Sequence, residues 1–342
     1  MKIGIVKDAQ FADHDMGPYH VESPQRIEAI NRMIEDRIRF PYLLVEPRPA
    51  SEEELARVHD PLYVRAIRET AGRDRVHLDP DTSAGPLSYE TARLAAGGLI
   101  KAAELIIEGR IQNAFAFVRP PGHHAETARA RGFCIFNNVA VAAEHLVLVH
   151  GFRRILIVDW DLHHGNGTQD AFYGRDDVLY FSTHQSPFYP GSGRAGETGQ
   201  GRGEGFTLNI PLGAGKTGAD YTAILQNILR PAADRFKPEF ILVSAGFDIG
   251  AGDLLGGMRV TREEFGWIAT ELLDMARTLC GSRIAFVLEG GYNLHVLADG
   301  AEEILGCMAG ENQSEVPRFE LSDVLRKELE PVFRASSTRW GF

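Results

Sequence analysis

Ile155-Leu156-Ile157-Val158-Asp159-Trp160-Asp161-Leu162-His163-His164-Gly165-Asn166-Gly167 is the stretch on which the reading of this chain turns. Its first four residues are apolar with no polar alternation, the pattern of a strand buried on both faces in a parallel sheet. Two carboxylates and two imidazoles follow immediately, and then a glycine-rich loop. In open α/β sheets, ligands bind outside the carboxyl ends of the strands, which is where these groups fall. Asp161 and His163 lie two residues apart, so on an extended segment their side chains point the same way. A carboxylate beside an imidazole is half of a transition-metal site.

Working outward, further apolar runs alternate with helical patterns. Strand-like segments fall at 1–6, 113–118, 178–181, 206–210, 240–243 and 284–288, and helical periodicity covers 92–108, 137–149 and 262–279. A further helix is expected over 220–236, bent or split by Pro231. This alternation predicts an α/β chain with a parallel sheet and helices on both faces. No repeat, low-complexity tract or linker divides it, so one domain over 1–342 is expected. The Gly- and Pro-rich segment 186–204 reads as a long loop, and loops of that length are usually functional.

The chain has 342 residues, 44% of them hydrophobic and 24% charged, as in ordinary globular proteins. Its net charge of −11 argues against a phosphate-binding surface, so no nucleic-acid partner is expected. Cys134, Cys280 and Cys307 have no paired spacing and fit a reducing compartment. The opening residues read as a strand rather than a signal peptide, and no apolar stretch approaches membrane-spanning length. A cytoplasmic location without a membrane partner is the expectation.

Four apolar runs end in chemistry. The run before residue 119 leads into Arg119-Pro-Pro-Gly-His123-His124, and 155–158 leads into Asp159, Asp161 and His163. The run 240–243 leads into Ser244-Ala-Gly-Phe-Asp248, and 284–288 leads into Glu289-Gly-Gly-Tyr292. Taken singly, an Asp or His after a strand is more often a helix cap or a satisfied loop residue. If the strands are parallel, the four ends share one cleft. Asp161, His163 and Asp248 would then supply three metal ligands and leave positions open, as in a catalytic zinc site. The His123-His124 pair offers a general base, and Tyr292 an oxyanion donor. Together these groups describe hydrolysis of an amide or ester.

With these motifs in place, the chain resembles the histone deacetylase superfamily, which also contains acetylpolyamine amidohydrolases and bacterial acetoin-utilisation proteins. The resemblance rests on residues 119–124, Gly132-Phe-Cys-Ile-Phe-Asn-Asn138, 159–169, 244–248 and 289–293. It implies a three-layer arginase/deacetylase-like fold, an open parallel sheet of about eight strands with helices on both faces. It further implies a class II-like bacterial deacetylase with Asp161, His163 and Asp248 as ligands to zinc, or to ferrous iron. His124 resembles the general base and His123 its electrostatic partner, with Asp159 orienting His123 and Asn166 orienting His124. Tyr292 is similar to the tyrosine that polarises the acetyl carbonyl. Gly132, Phe133 and Tyr189 look like the acyl-lysine tunnel, although Phe133 and Tyr189 also read as ordinary packing. Asp159, Asp161, His163, Ser182 and Thr183 resemble a structural potassium site.

The implied substrate is acetyl-lysine in a protein or peptide. The alternative is an acetylated polyamine or small metabolite, and a homo-oligomer is compatible with either. Leu255 occupies a rim position where specialised polyamine deacetylases carry an acidic gatekeeper. Asp79 and Asp81 are both rim candidates for anchoring a substrate backbone or ammonium group. The family's early pattern becomes His20-Val-Glu-Ser-Pro-Gln-Arg26, so the first loop is expected to differ. His14, His20, His59 and His184 are expected as supporting, rim or surface groups rather than ligands. An arginase-type two-metal hydrolase would need carboxylates where Gly165 and Gly250 stand. A silent binding module on the same scaffold would have lost a ligand, the base or the tyrosine.

Overall fold

A computed structural model describes residues 2–312 and 316–342. Ten strands are found among them: β1 (Ile3–Val6), β2 (Tyr42–Val45), β3 (Val76–Asp79), β4 (Thr82–Ala84), β5 (Ala114–Ala116), β6 (Ile155–Asp159), β7 (Val178–Gln185), β8 (Thr207–Leu212), β9 (Phe240–Ala245) and β10 (Ile284–Leu288). β3 and β4 form a separate antiparallel hairpin, and the other eight make one sheet in the order β2-β1-β5-β10-β9-β6-β7-β8. Every pairing in that sheet is parallel.

The four runs that end in chemistry are β5, β10, β9 and β6, which are four neighbouring central strands. Their residues are buried throughout, which accounts for the lack of polar alternation. β10, the last strand in sequence, lies between β5 and β9 and joins the two halves of the sheet. The helices pack in two groups. Ser88–Ile107 packs on Asn138–Leu148, and Gln25–Arg37, Leu294–Ala309 and Arg262–Cys280 pack in succession.

The expected helix over 220–236 is divided. Gly218–Ile224 and Arg230–Phe236 are α-helical, and the π-turn Leu225–Leu229 separates them. Pro231 has no N–H to give an i→i−4 bond and its ring crowds the preceding turn, so a local change of helical register absorbs it. β7 runs four residues beyond the expected 178–181 and so carries Ser182, Thr183 and His184 within the sheet. The helices Gln25–Arg37 and Leu294–Ala309 and the β3–β4 hairpin were not anticipated from the sequence pattern. Among the described residues no helix is long and apolar enough to cross a membrane.

Candidate active site

The parallel register carries the ends of β5, β6, β9 and β10 to one edge of the sheet, and Asp161, His163 and Asp248 converge there. His163 Nδ1 lies 3.1 Å from Asp161 Oδ1 and 3.2 Å from Asp248 Oδ2. Backbone amides hold both carboxylates. Asp161 accepts from the N–H of His163 (2.8 Å) and of Gly290 (2.7 Å), and Asp248 Oδ1 accepts from Leu162 N–H (3.0 Å). Asp248 Oδ2 is buried and makes no aligned hydrogen bond despite its nearness to His163. Burial and the neighbouring Asp161 push the Asp248 carboxyl up to about 7, whereas His123 and His163 outweigh burial and hold Asp161 far below the carboxylate range. Two buried acids around one imidazole, with an orphaned oxygen aimed at the same point, fit a divalent cation.

The adjacent histidines have opposite surroundings. His123 Nδ1 lies 3.0 Å from Asp159 Oδ2, which also accepts from Tyr180 Oη. Burial opposes charge on His123, but Asp159, then Asp161 and Glu289, outweigh it and raise the imidazole to about 10. His124 Nδ1 donates to Asn166 Oδ1 at 2.8 Å, which directs the Nε2 lone pair away from Asn166. Burial, with His123 and His163 nearby, keeps His124 well below its ordinary value and therefore neutral. One imidazole stores a proton while its neighbour is free to take one.

A cavity of about 210 Å³ opens onto these groups, lined by Asp81, His124, Gly132, Phe133, His163, Tyr189, Leu255 and Tyr292. Phe133 crosses Tyr292 edge-to-face at 5.9 Å, and Tyr189 crosses His124 at 5.1 Å. Phe133 has φ +70°, an uncommon conformation for a bulky side chain and one found where a site over-determines the backbone. Gly132, at φ +55°, lies against the His124 ring, which any Cβ there would strike. Of the two rim acids, Asp81 faces the cavity and accepts from Gly132 N–H, whereas Asp79 pairs with Arg129 at 2.6 Å. Tyr292 is buried. Burial first, then Asp248, lift its phenol well above the ordinary range, so it remains a hydrogen-bond donor.

The other singled-out residues are placed as follows. Ser182 and Thr183 are buried on β7 and Thr183 Oγ1 has no hydrogen-bond partner, while Ser182 Oγ contacts His184 Nδ1 at 2.9 Å. His14, His59 and His184 are buried against Ser88, against Glu126 and Asn137, and against Ser182 and Gly193 respectively, and His20 packs on Phe133 at 4.6 Å. Gly165 lies against Asp159 and Tyr180, and Gly250 against Val296 and Phe247, so neither place offers a carboxylate to a second metal. A larger cavity of about 520 Å³ borders Asn113 and Ile284, at the opposite edge of the sheet from the catalytic groups.

Sequence reasoning missed the frame beneath Tyr292. Arg26 donates to the carbonyls of Gly291 (2.7 Å) and Glu289 (2.5 Å), and its guanidinium lies 5.1 Å from the Tyr292 ring. Glu22 joins Arg26 to Arg119, and all three are fully buried. Asp253 Oδ2 accepts from the N–H groups of Tyr292 and Asn293. The signal was present in the i,i+4 pair Glu22–Arg26 and in the lone Arg119 before Pro-Pro. Phe188 was also missed, and it packs 5.5 Å from the His163 ring.

Residues 20–308 match the Histone deacetylase domain family. The chain is 36% identical to a probable deacetylase of Archaeoglobus fulgidus, over 99% of both chains. It is 38% identical to Histone deacetylase HDA1 of Saccharomyces cerevisiae over 94% of this chain, and 44% identical to Polyamine deacetylase HDAC10 of Homo sapiens over 82%. It spans 49% and 43% of the length of those two relatives, respectively. The crystal structure of the HDA15 HD domain superposes with a TM-score of 0.92 at 36% identity, covering 99% of this chain and 97% of that one. The chain belongs to the histone deacetylase family and is a hydrolytic deacetylase.

Proposed function

We propose that this chain is a single catalytic domain that removes the acetyl group from an acetylated amine, with acetyl-lysine in a protein or peptide as the substrate class. The observation that carries the reading is the narrow cavity whose walls are Phe133 and Tyr189 and whose inner groups are His124, His163 and Tyr292. Such a shape suits a straight alkyl chain ending in an amide. Asp161, His163 and Asp248 would hold zinc, with ferrous iron as the alternative. The metal, when bound, supplies Lewis acidity to the carbonyl and acidifies a water.

The remaining work falls to side chains. His124 accepts a proton from the attacking water through the nitrogen that Asn166 leaves free. Tyr292 donates its phenolic hydrogen to the developing oxyanion. The charged His123, with Asp159 behind it, helps supply a proton to the amine nitrogen as the C–N bond breaks. Asp159, Asp161, His163, Ser182 and Thr183 would hold a structural potassium ion, a reading supported by the unpartnered Thr183 hydroxyl. Leu255 presents an apolar rim, which favours a peptide-borne side chain over a polycation; Asp81 is the acid placed to anchor the substrate's backbone.

A second reading, an acetylpolyamine deacetylase, draws on the 44% identity to a polyamine deacetylase. Turnover on an acetyl-lysine peptide, acetylputrescine and acetylspermidine, with bound metal counted in parallel, separates the two. The peptide should be the best substrate by kcat/KM. A strong preference for acetylspermidine would overturn the peptide reading and the inference from Leu255.

A further inference from the structure

A second histidine–carboxylate cluster lies on the helices rather than on the strand ends. Glu104 stands near the end of helix Ser88–Ile107, His145 near the end of helix Asn138–Leu148, and His150 just beyond it. One potential ligand atom from each lies within 4.8 Å of the others. The His145 side chain is only 7% exposed, yet neither ring nitrogen has a hydrogen-bond partner. Instead each nitrogen faces a carboxylate oxygen, Nε2 at 3.3 Å from Glu104 Oε1 and Nδ1 at 3.5 Å from Glu54 Oε1. A neutral imidazole donates from one nitrogen only, so the other presents a lone pair to an anion unless a cation lies between them. A proton would meet that need without further help. The His150 ring, 5.2 Å from that of His145, adds the third donor that a metal uses and a proton does not.

We propose that Glu104, His145 and His150 form a second metal site, open to solvent through His150, for a borderline dication such as zinc. Glu54 completes it from behind. A ligating histidine normally passes its other N–H to a carboxylate, which fixes the ring and raises its basicity. Glu54 stands in that position and is itself rigid, clamped by Arg48 at 2.8 and 2.7 Å and accepting the Ser51 N–H at 2.8 Å. Arg48 and Lys101 also approach the Glu104 oxygens, both at 3.4 Å, long contacts from half-exposed cations that a dication would displace. Two nitrogens and one oxygen, with water completing the shell, suit zinc better than calcium or magnesium. The ion would pin the end of helix Asn138–Leu148 to Ser88–Ile107, about 12 Å along the helix from its Asn137 cap beside the catalytic loop.

The test is to strip the full chain of metal, titrate it with Zn²⁺ by calorimetry, and count bound metal by mass spectrometry. The wild-type chain should bind two equivalents. His150→Ala and Glu104→Gln should each bind one, with turnover of the singly loaded enzyme unchanged in His150→Ala. Glu54→Gln should weaken the second equivalent by about 10- to 100-fold. Excess Zn²⁺ should raise the Tm of the wild type above that of the singly loaded form, and this rise should be absent in His150→Ala. A single equivalent in the wild type, or a second equivalent unaltered in both His150→Ala and Glu104→Gln, would overturn the proposal. Asp248→Ala keeps the two sites distinguishable, because it should lose the catalytic equivalent and retain this one.

Discussion

Asp161, His163 and Asp248 are held at strand ends in the middle of an eight-stranded sheet, whereas Glu104, His145 and His150 ride on the ends of two helices and a turn. At the strand ends, backbone N–H groups of His163, Gly290 and Leu162 fix the carboxylates before any ion arrives. In the helix cluster Glu54 is tied down by Arg48 and Ser51, Glu104 has two long contacts at 3.4 Å, and His150 is exposed. The same donor types are therefore preorganised in one place and adjustable in the other. Preorganisation gives a catalytic geometry, and adjustability gives an exchangeable ion with a structural effect.

The heaviest way to break that contrast is Asp248→Ala. Removing a backbone-anchored ligand should abolish catalytic metal and reduce turnover by about a thousandfold or more. Retention of stoichiometric metal at the strand ends would remove Asp248 from the ligand set. Tyr292→Phe comes next, with a loss of about 10²- to 10³-fold in kcat and the metal content intact. Near wild-type turnover would deny Tyr292 the oxyanion.

Arg26→Lys probes the frame rather than the chemistry. Lysine cannot span both carbonyls that the guanidinium grips, and a lost charge-assisted bond is worth about 1.5–3 kcal/mol, so kcat/KM should drop by about 10- to 100-fold. The drop should fall on kcat with metal affinity unchanged; an altered metal affinity instead would show that Arg26 supports the ligands.

Buried histidines outside both clusters sharpen the comparison through pH. Burial holds His14 and His59 at about 4, so each is neutral in the fold and protonates near 6.5 when unfolded. Their contribution is complete above about pH 6.5 and is lost as pH falls through 6.5 towards 4. Between those limits each of the two imidazoles binds about one more proton in the unfolded state, a contribution of about 1.4 kcal/mol per pH unit at pH 5, which the raised carboxyls of Asp248 and Glu289 oppose in the metal-free protein. Imidazole NMR of the folded protein from pH 7 to 5 reads each ring directly, and titration of either ring near 6.5 would mean that it is not held neutral. The smallest effect belongs to His150→Ala without metal, within about 0.5 kcal/mol of wild type, as expected for an exposed side chain. A larger destabilisation in metal-free urea unfolding would make His150 a packing residue.

The strand ends were legible because β5, β6, β9 and β10 are apolar runs that stop abruptly at charged residues, a local pattern that any window of the sequence displays. The split at Pro231 was legible for the same local reason, though not its form as a π-turn. The Arg26 frame was legible only in its local half, the i,i+4 pair with Glu22; its other contacts lie 263 and 265 residues away, and each partner there is a backbone carbonyl without a sequence signature. Asp79 and Asp81 could not be separated in advance. On a short hairpin with a register shift, only the structure shows that one meets Arg129 and the other Gly132. The Glu104–His145–His150 cluster looked like the polar trim of two helices, since nothing in either helix alone says that their ends meet.

The position of β10 has a consequence for how this protein comes into being. A ribosome delivers β1, β2 and β5 early and β6 to β9 later, yet the two sets have no direct strand pairing until the residues of β10 emerge. Any sheet formed before that point would leave a bare edge at β5 or β9, of the kind that invites mispairing. Tyr292, the proposed oxyanion donor, follows β10 by only a few residues, so it is synthesised in nearly the same stretch that closes the sheet.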